Sequence, residues 1–198
     1  MNWNHLIYLI ICVKSLLFSN SFDITPYKGA YSKKELIANT ITQTTAKKLL
    51  TQQNLHLVGT GGGMINEIEM LGMDFDYAQE VDLSTARNLL IVAIQSYLNE
   101  INQNKEIRHY LKNYPFTVNN IEIGIYVHRP DGSKVPKDKL YYLSAINGML
   151  YYYLDEPKTY SRITLHQETY EEALKILNPS ETKRIAPSSP ASTANQKF

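Results

Sequence analysis

Leu140-Tyr141-Tyr142-Leu143-Ser144-Ala145-Ile146-Asn147-Gly148-Met149-Leu150-Tyr151-Tyr152-Tyr153-Leu154-Asp155 reads as two β-strands joined by a two-residue turn. Asn-Gly between apolar alternating runs is the strongest short hairpin signal, because both turn residues need positive φ, which Asn tolerates and Gly adopts without strain. A turn this short sets the register, and it predicts Ile146 opposite Met149, Ser144 opposite Tyr151 and Tyr142 opposite Tyr153. Those side chains share one face with Leu140. Tyr141, Leu143, Ala145, Leu150, Tyr152 and Leu154 share the other. The second set is the more aliphatic and is expected to meet the helices. Tyr142, Met149, Tyr151 and Tyr153 then point outward, and they are the candidate contacts to another protein, since rigid rings are enriched where proteins bind. Two plainer explanations fit the same residues: cross-strand ring packing that only stabilises the sheet, or cover by the first helix.

Working outward, Ile121, Ile123, Ile125 and Val127 alternate with Glu122, Gly124, Tyr126 and His128, which predicts a half-buried strand. Pro130-Asp131-Gly132-Ser133 is a turn. Before it, Ala86, Leu89, Leu90, Ala93, Ile94, Tyr97, Leu98 and Ile101 step by three and four, predicting a helix over 83–103 capped by Asp82 or Ser84. Its wet side is read as Arg87, Asn88, Gln95, Asn99 and Glu100. A shorter helix is expected over about 105–113, stopping before Tyr114-Pro115. Leu55–Thr60 reads as a strand, and Ile65–Tyr77 as a longer one. In the latter, Ile68 and Met70 are out of phase with Leu71, Met73, Phe75 and Tyr77, so an irregularity is required near Met70–Gly72. Ser32 and Glu35 form a capping box for a helix to about Gln52. Its stripe of Leu36, Ile37, Ile41, Leu49 and Leu50 is thin, and Thr40, Thr42, Thr44 and Thr45 lower its propensity. After the hairpin come a strand over about Tyr160–Leu165 and a helix over Glu168–Leu177. Hairpin-length connections and this order predict one α+β domain over 22–178, a curved antiparallel β-sheet with helices packed on one face.

The chain ends differ in character. The apolar run Leu6–Val13, extended by Ser15-Leu16-Leu17-Phe18 and closed by Ser19-Asn20-Ser21, has the layout of a signal peptide over 1–21. It predicts a secreted or periplasmic product. Left uncleaved, residues 6–18 would be a membrane anchor. Residues 179–198 are rich in Ser, Pro, Thr and Ala without hydrophobic period and read as a disordered tail. The chain has 20 Lys+Arg against 19 Asp+Glu, and Lys14 is the one charged side chain in 1–21, so 22–198 carries 19 of each. That balance gives no electrostatic case for nucleic acid, or for membrane contact except through the N-terminal segment. Cys12 is the single cysteine, so the domain is expected to use neither disulfide nor thiolate chemistry.

No stretch carries a strong catalytic signature. Gly59-Thr60-Gly61-Gly62-Gly63 lacks the Lys-Ser/Thr of a phosphate loop and precedes a strand rather than a helix, so it reads as a connection. Glu67, Glu69, Asp74, Asp76, Glu80 and Asp82 cluster in sequence, and Asp74 and Asp76 share a strand face, but their spacing is not that of a calcium loop. They read as a solvated face. His56, His109, His128 and His166 have no metal-ligand spacing, and neither metal nor cofactor is expected. The leading expectation is an exported, non-enzymatic binding or accessory protein. The alternative is a small hydrolase or ligand-binding enzyme with a pocket between the sheet and the 83–103 helix, using Asp74, Asp76, Glu69 or His128.

Val81-Asp82-Leu83-Ser84-Thr85-Ala86-Arg87, Tyr110-Leu111-Lys112-Asn113-Tyr114-Pro115-Phe116-Thr117 and Asn120-Ile121-Glu122-Ile123 resemble a group of small exported bacterial proteins with no assigned function. The resemblance covers roughly residues 55–177. It implies a bacterial, exported protein and transfers no catalytic residue.

Overall fold

The computed structural model describes residues 31–156 and 161–178. The leader read over 1–21 and the tail read over 179–198 lie outside the described residues. Contacts divide the chain after Ser32, and every element below belongs to the unit Lys33–Phe198.

Helix α1 spans Lys33–Gln53. It ends at Asn54, whose φ of 57° is the left-handed conformation Asn tolerates. There the Asn54 N–H donates to the Leu50 carbonyl at 3.1 Å and the Leu55 N–H to that of Leu49 at 3.4 Å. Two residues expected in its apolar stripe, Leu36 and Leu50, are exposed. The buried side is instead Ala38, Ile41, Thr42, Thr45, Ala46 and Leu49. Thr45 satisfies its own hydroxyl on the Ile41 carbonyl at 2.9 Å, and Thr42 bonds the Tyr97 hydroxyl at 2.7 Å. Two of the threonines that weaken propensity, Thr42 and Thr45, thus belong to the helix's contact side, while Thr40 and Thr44 are exposed. Burial pushes the Tyr97 hydroxyl up to about 12, against the opposing bond from Thr42, so it stays neutral. Tyr97→Phe leaves the Thr42 hydroxyl short of a buried partner and is expected to lower stability by about 1–2 kcal/mol. Urea unfolding would read this as a lower midpoint at unchanged slope.

Strands β1 (His56–Gly63) and β2 (Met70–Tyr77) are followed by helix α2 (Leu83–Gln103), β3 (Ile121–Val127), β4 (Leu140–Ile146), β5 (Met149–Glu156), β6 (Ser161–Thr169) and helix α3 (Tyr170–Leu177). The six strands form one sheet in chain order. All neighbours are antiparallel except β2 and β3, which are parallel. The expected wholly antiparallel sheet is corrected there. The β2–β3 connection carries α2, and a helical crossover is what lets two strands run the same way. The sheet is therefore mostly antiparallel in an α+β fold.

Several boundaries move. The long strand expected from Ile65 begins at Met70. Ile68, fully buried, leaves the ladder and bridges Leu111, its N–H donating to the Tyr110 carbonyl at 2.7 Å and its carbonyl accepting from Lys112 at 2.9 Å. A break rather than a bulge resolves the phase change. The bulge lies in β1 between Leu57 and Gly59, and that strand continues through Gly61–Gly63, which the sequence reading assigned to a connection. The helix expected over 105–113 is a single 3-10 turn, Arg108–Tyr110. Asn104 stops α2 and its side chain accepts from the N–H groups of Glu106 and Ile107, starting a turn instead of a helix. At the C-terminus, β6 runs on to Thr169, and α3 starts only at Tyr170 behind a Thr169–Glu172 capping box.

Asn147 (φ 49°) and Gly148 (φ 76°) form the expected turn. The register is Ile146–Met149, Ser144–Tyr151 and Tyr142–Tyr153, as the Asn-Gly signal predicts. Leu140 departs from it. The ladder shifts between Leu140 and Tyr142, and Leu140 is buried in the core opposite Leu154 rather than sharing the face of Tyr142. Gly148→Ala combines a strained positive φ with a Cβ only 2.6 Å from Asn119 Oδ1. A loss of more than about 1 kcal/mol is expected, read as a lower thermal midpoint.

One buried cluster joins Leu71, Met73 and Phe75 of β2, Ile121, Ile123 and Ile125 of β3, Leu143 and Ala145 of β4, and Leu150 and Tyr152 of β5 to Leu90, Ile94, Tyr97 and Ile101 of α2. Helix α2 contacts β3, β4 and β5; α1 contacts α2 and β1; α3 contacts α2 and β6.

Candidate functional site

Strand alternation places Asp74 and Asp76 of β2, Tyr126 of β3, Tyr142 and Ser144 of β4 and Tyr151 and Tyr153 of β5 on the sheet side opposite Phe75, Ile125, Leu143 and Tyr152. Pairing aligns Asp76, Tyr126, Tyr142 and Tyr153 in one row across four strands. The rings pack along it. Tyr126 and Tyr142 are 4.8 Å apart between centroids, Tyr142 and Tyr153 are 5.8 Å apart at 25°, and Tyr151 and Tyr153 are 6.1 Å apart at 16°. Such offset pairs add about 0.5–1.5 kcal/mol each beyond burial.

The row is not uniformly open. Tyr142 is only 9% exposed, while Tyr126 is 39% exposed. Met149, Tyr151 and Tyr153 are half-buried. What covers Tyr142 is Arg162 of β6, whose guanidinium carbon lies 4.1 Å from the Tyr142 ring centre and 5.7 Å from that of Tyr153. A cation over ring faces is attracted by their negative quadrupole. Burial, then the Tyr126 hydroxyl, raises the Tyr142 phenol above its ordinary value, with Arg162 opposing and Asp74 adding to the rise. The phenol therefore stays protonated and can donate. Arg162 is absent from the sequence-based candidates. Its position depends on the β5–β6 pairing, which carries a register shift between Tyr152 and Tyr153 that no turn signal announces.

Asp74 joins this site through glycines. Its cross-strand neighbours are Gly59 and Gly124. A Cβ on Gly124 would collide with Asp74 Oδ1 and lie 2.8 Å from the Tyr142 hydroxyl, and one on Gly59 would lie 3.1 Å from Asp74 Oδ2. The carboxylate thus lies across bare backbone beside Tyr142. Gly61 has open space where its Cβ would be. Gly59 of β1 and Gly124 of β3 are the glycines that make room for Asp74.

The other sequence candidates scatter. His128 Nε2 is 3.9 Å from Asp76 Oδ2 at the end of β3, and its Nδ1 contacts the Arg129 carbonyl at 2.9 Å. Glu69 is tied to Lys112 at 3.0 Å, in the segment before β2. Glu80 pairs with Arg129 at 3.0 Å. Among the described residues, no group of three or more His, Cys, Asp or Glu side chains is placed to hold a metal ion, and no helix is long and apolar enough to cross a membrane.

A second polar centre was missed. Arg87, read as lying on the wet side of its helix, is buried, and its Nε donates to Glu168 Oε1 at 2.7 Å. Tyr152 donates to the same oxygen at 2.6 Å. Burial disfavours the charged form of Glu168, but the bonds from Arg87 and Tyr152 and the charge of Arg87 outweigh it and hold the carboxyl below its ordinary value. The same burial, reinforced by Glu168, pushes the Tyr152 phenol far up. No family model, curated protein or solved structure matches this chain.

Proposed function

We propose that this chain is an exported, non-enzymatic binding or accessory protein of bacterial type, and that its contact surface is the tyrosine face of the sheet. In this reading the helices share the opposite face, leaving Tyr126, Met149, Tyr151 and Tyr153 for a protein partner, with Tyr142 and Arg162 as their support. The observation that carries it is the three-ring row Tyr126–Tyr142–Tyr153, with Tyr151 stacked beside it and a guanidinium seated on it, on the sheet side away from the aliphatic core. Tyr and Arg are the residue types that dominate binding energy where proteins meet. The leader-like segment 1–21 supports export, with an anchor over 6–18 as its alternative.

The enzyme alternative draws less support. Its carboxylates Asp74 and Asp76 belong to the tyrosine face, and Glu69 is held by Lys112.

The test uses Tyr151→Ser with Tyr153→Ser, made together. Both rings are half-buried, so the pair is expected to cost about 1–2 kcal/mol of stability, on the scale of ring-pair energies, and to leave the protein folded by circular dichroism. Capture from the extracytoplasmic extract of the source cells should lose a partner that the wild-type protein retains. A folded variant that retains the same partner equally well would refute the assignment of the face.

A further inference from the structure

Beside the buried Arg87–Glu168–Tyr152 centre, an open groove of about 430 Å³ lies between β6 and α3, lined by His166, Gln167, Glu168, Glu172, Lys175 and Ile176. Glu168 Oε2 is, among the described residues, the one buried side-chain polar atom with no hydrogen-bond partner. Its side chain is 4% exposed. Both donors that reach the carboxylate converge on Oε1. A buried, unsatisfied carboxylate oxygen is unfavourable unless something donates to it. The group in position is His166, whose Nε2 stands 3.6 Å from Oε2 and whose side chain is 38% exposed.

An imidazole held in this way by a buried carboxylate has its second nitrogen left for a ligand. In the charged form both nitrogens carry a proton: Nε2–H faces Glu168 Oε2 across the 3.6 Å of an ion pair, and Nδ1–H is left for a ligand atom. Lys175 brings a second donor to the groove. Glu172 is occupied, since its Oε2 accepts from the Thr169 N–H at 2.8 Å and from the Thr169 hydroxyl at 2.9 Å. Ile176 is 54% exposed and offers an apolar wall. The groove therefore turns the donors His166 and Lys175, one aliphatic surface and the Thr169-bonded carboxylate of Glu172 toward its contents.

We propose that this groove binds an organic carboxylate carried on a short apolar chain. Its acid group is held by imidazolium His166 and by Lys175, its chain lies against Ile176, and Glu168 is the buried counter-charge that keeps the imidazolium in place. Charges then alternate from ligand to His166 to Glu168 to Arg87. The groups facing His166 are Glu168 on its own strand, Tyr152 on β5 with rings 5.7 Å apart, and Glu172 and Lys175 on α3, with Arg87 of α2 behind Glu168. The site is independent of the tyrosine face.

The test is a titration of the full chain with sodium hexanoate, followed by calorimetry and by the His166 ring resonances, at about pH 6 and about pH 8, either side of the range in which imidazole changes charge. Hexanoate is expected to bind, and to bind about fivefold or more tightly at the lower pH, because ligand and proton favour each other reciprocally. His166→Gln, at a part-exposed position, should keep the fold and remove the pH dependence. Lys175→Ala should weaken binding at both pH values. Glu168→Gln should diminish the pH dependence; if it unfolds the protein, the His166→Gln result decides. N-acetylleucine, set beside hexanoate, separates a peptide C-terminus from a free acid as the source of the carboxylate, and saturable binding of either supports the site. Equal binding of hexanol, tighter binding of hexylamine, or no saturable change up to about 10 mM, ten times a millimolar Kd, would each overturn the proposal.

Discussion

Replacing Arg87 with alanine is expected to lower the unfolding free energy by about 3–5 kcal/mol, the range for stranding a buried charge by removing its partner. Arg87 and Glu168 have side chains 8% and 4% exposed and meet at 2.7 Å. The pair, with Tyr152, ties α2, β5 and β6 together. Alanine leaves the Glu168 carboxylate in the interior with the Tyr152 hydroxyl bonded to one oxygen and His166 Nε2 3.6 Å from the other. The penalty belongs to the stranded charge rather than to the bridge, so Arg87→Met with Glu168→Leu and Tyr152→Phe should lose much less than Arg87→Ala alone. Urea unfolding of the two variants checks this. A loss under about 1 kcal/mol for Arg87→Ala would show that the pair is solvated. The acid limb carries the same information. Glu168 is held below its ordinary 4.5 in the folded state. Its stabilising contribution is thus present above the unfolded value and is lost as pH falls through the folded one. Arg87→Ala removes the group that lowers it most, so the variant's stability should fall less steeply on acidification.

Phe75→Ala is expected to cost about 3–5 kcal/mol as well, by the transfer and cavity terms of an enclosed ring. Phe75 is fully buried in β2, with Leu57 of β1 and Ile125 of β3 as its cross-strand neighbours. Tyr126, one register position on and facing the other way, is 39% exposed, and Tyr126→Ala should cost about 1 kcal/mol or less beyond its ring contact. The pair of measurements reports which side of the sheet is core. Comparable losses, or a larger one at Tyr126, would mean that the tyrosine face is covered.

Where period and turn chemistry agree, local sequence carried the fold. Asn147-Gly148 gave the hairpin register, and the three-and-four spacing from Ala86 to Ile101 gave α2. Failures came where a long-range partner decided. Ile68 leaves its strand because Leu111 and Tyr110 offer a bridge. Arg87 leaves the solvent side because Glu168, eighty-one positions away, offers a buried carboxylate. Leu140 turns inward because β4 shifts register before Tyr142. The parallel β2–β3 pair follows from a helical crossover that strand-by-strand alternation does not encode. At the candidate site the tyrosines were legible because a two-residue turn dictates which of them face the same way. Arg162 was not, since it depends on β5–β6 pairing, and Asp74, named only for the enzyme alternative, reaches Tyr142 through two glycines across the sheet.

The most direct test of the tyrosine face as a contact surface is side-chain footprinting by hydroxyl radicals, read by mass spectrometry, on the purified protein and on the protein within its native extract. Tyr126, Tyr151 and Tyr153 should be modified in the purified protein and protected in the extract, while Tyr97 and Tyr152, both fully buried, should resist modification in each. Equal modification of Tyr126, Tyr151 and Tyr153 in both samples would contradict the assignment and place any partner elsewhere on the molecule.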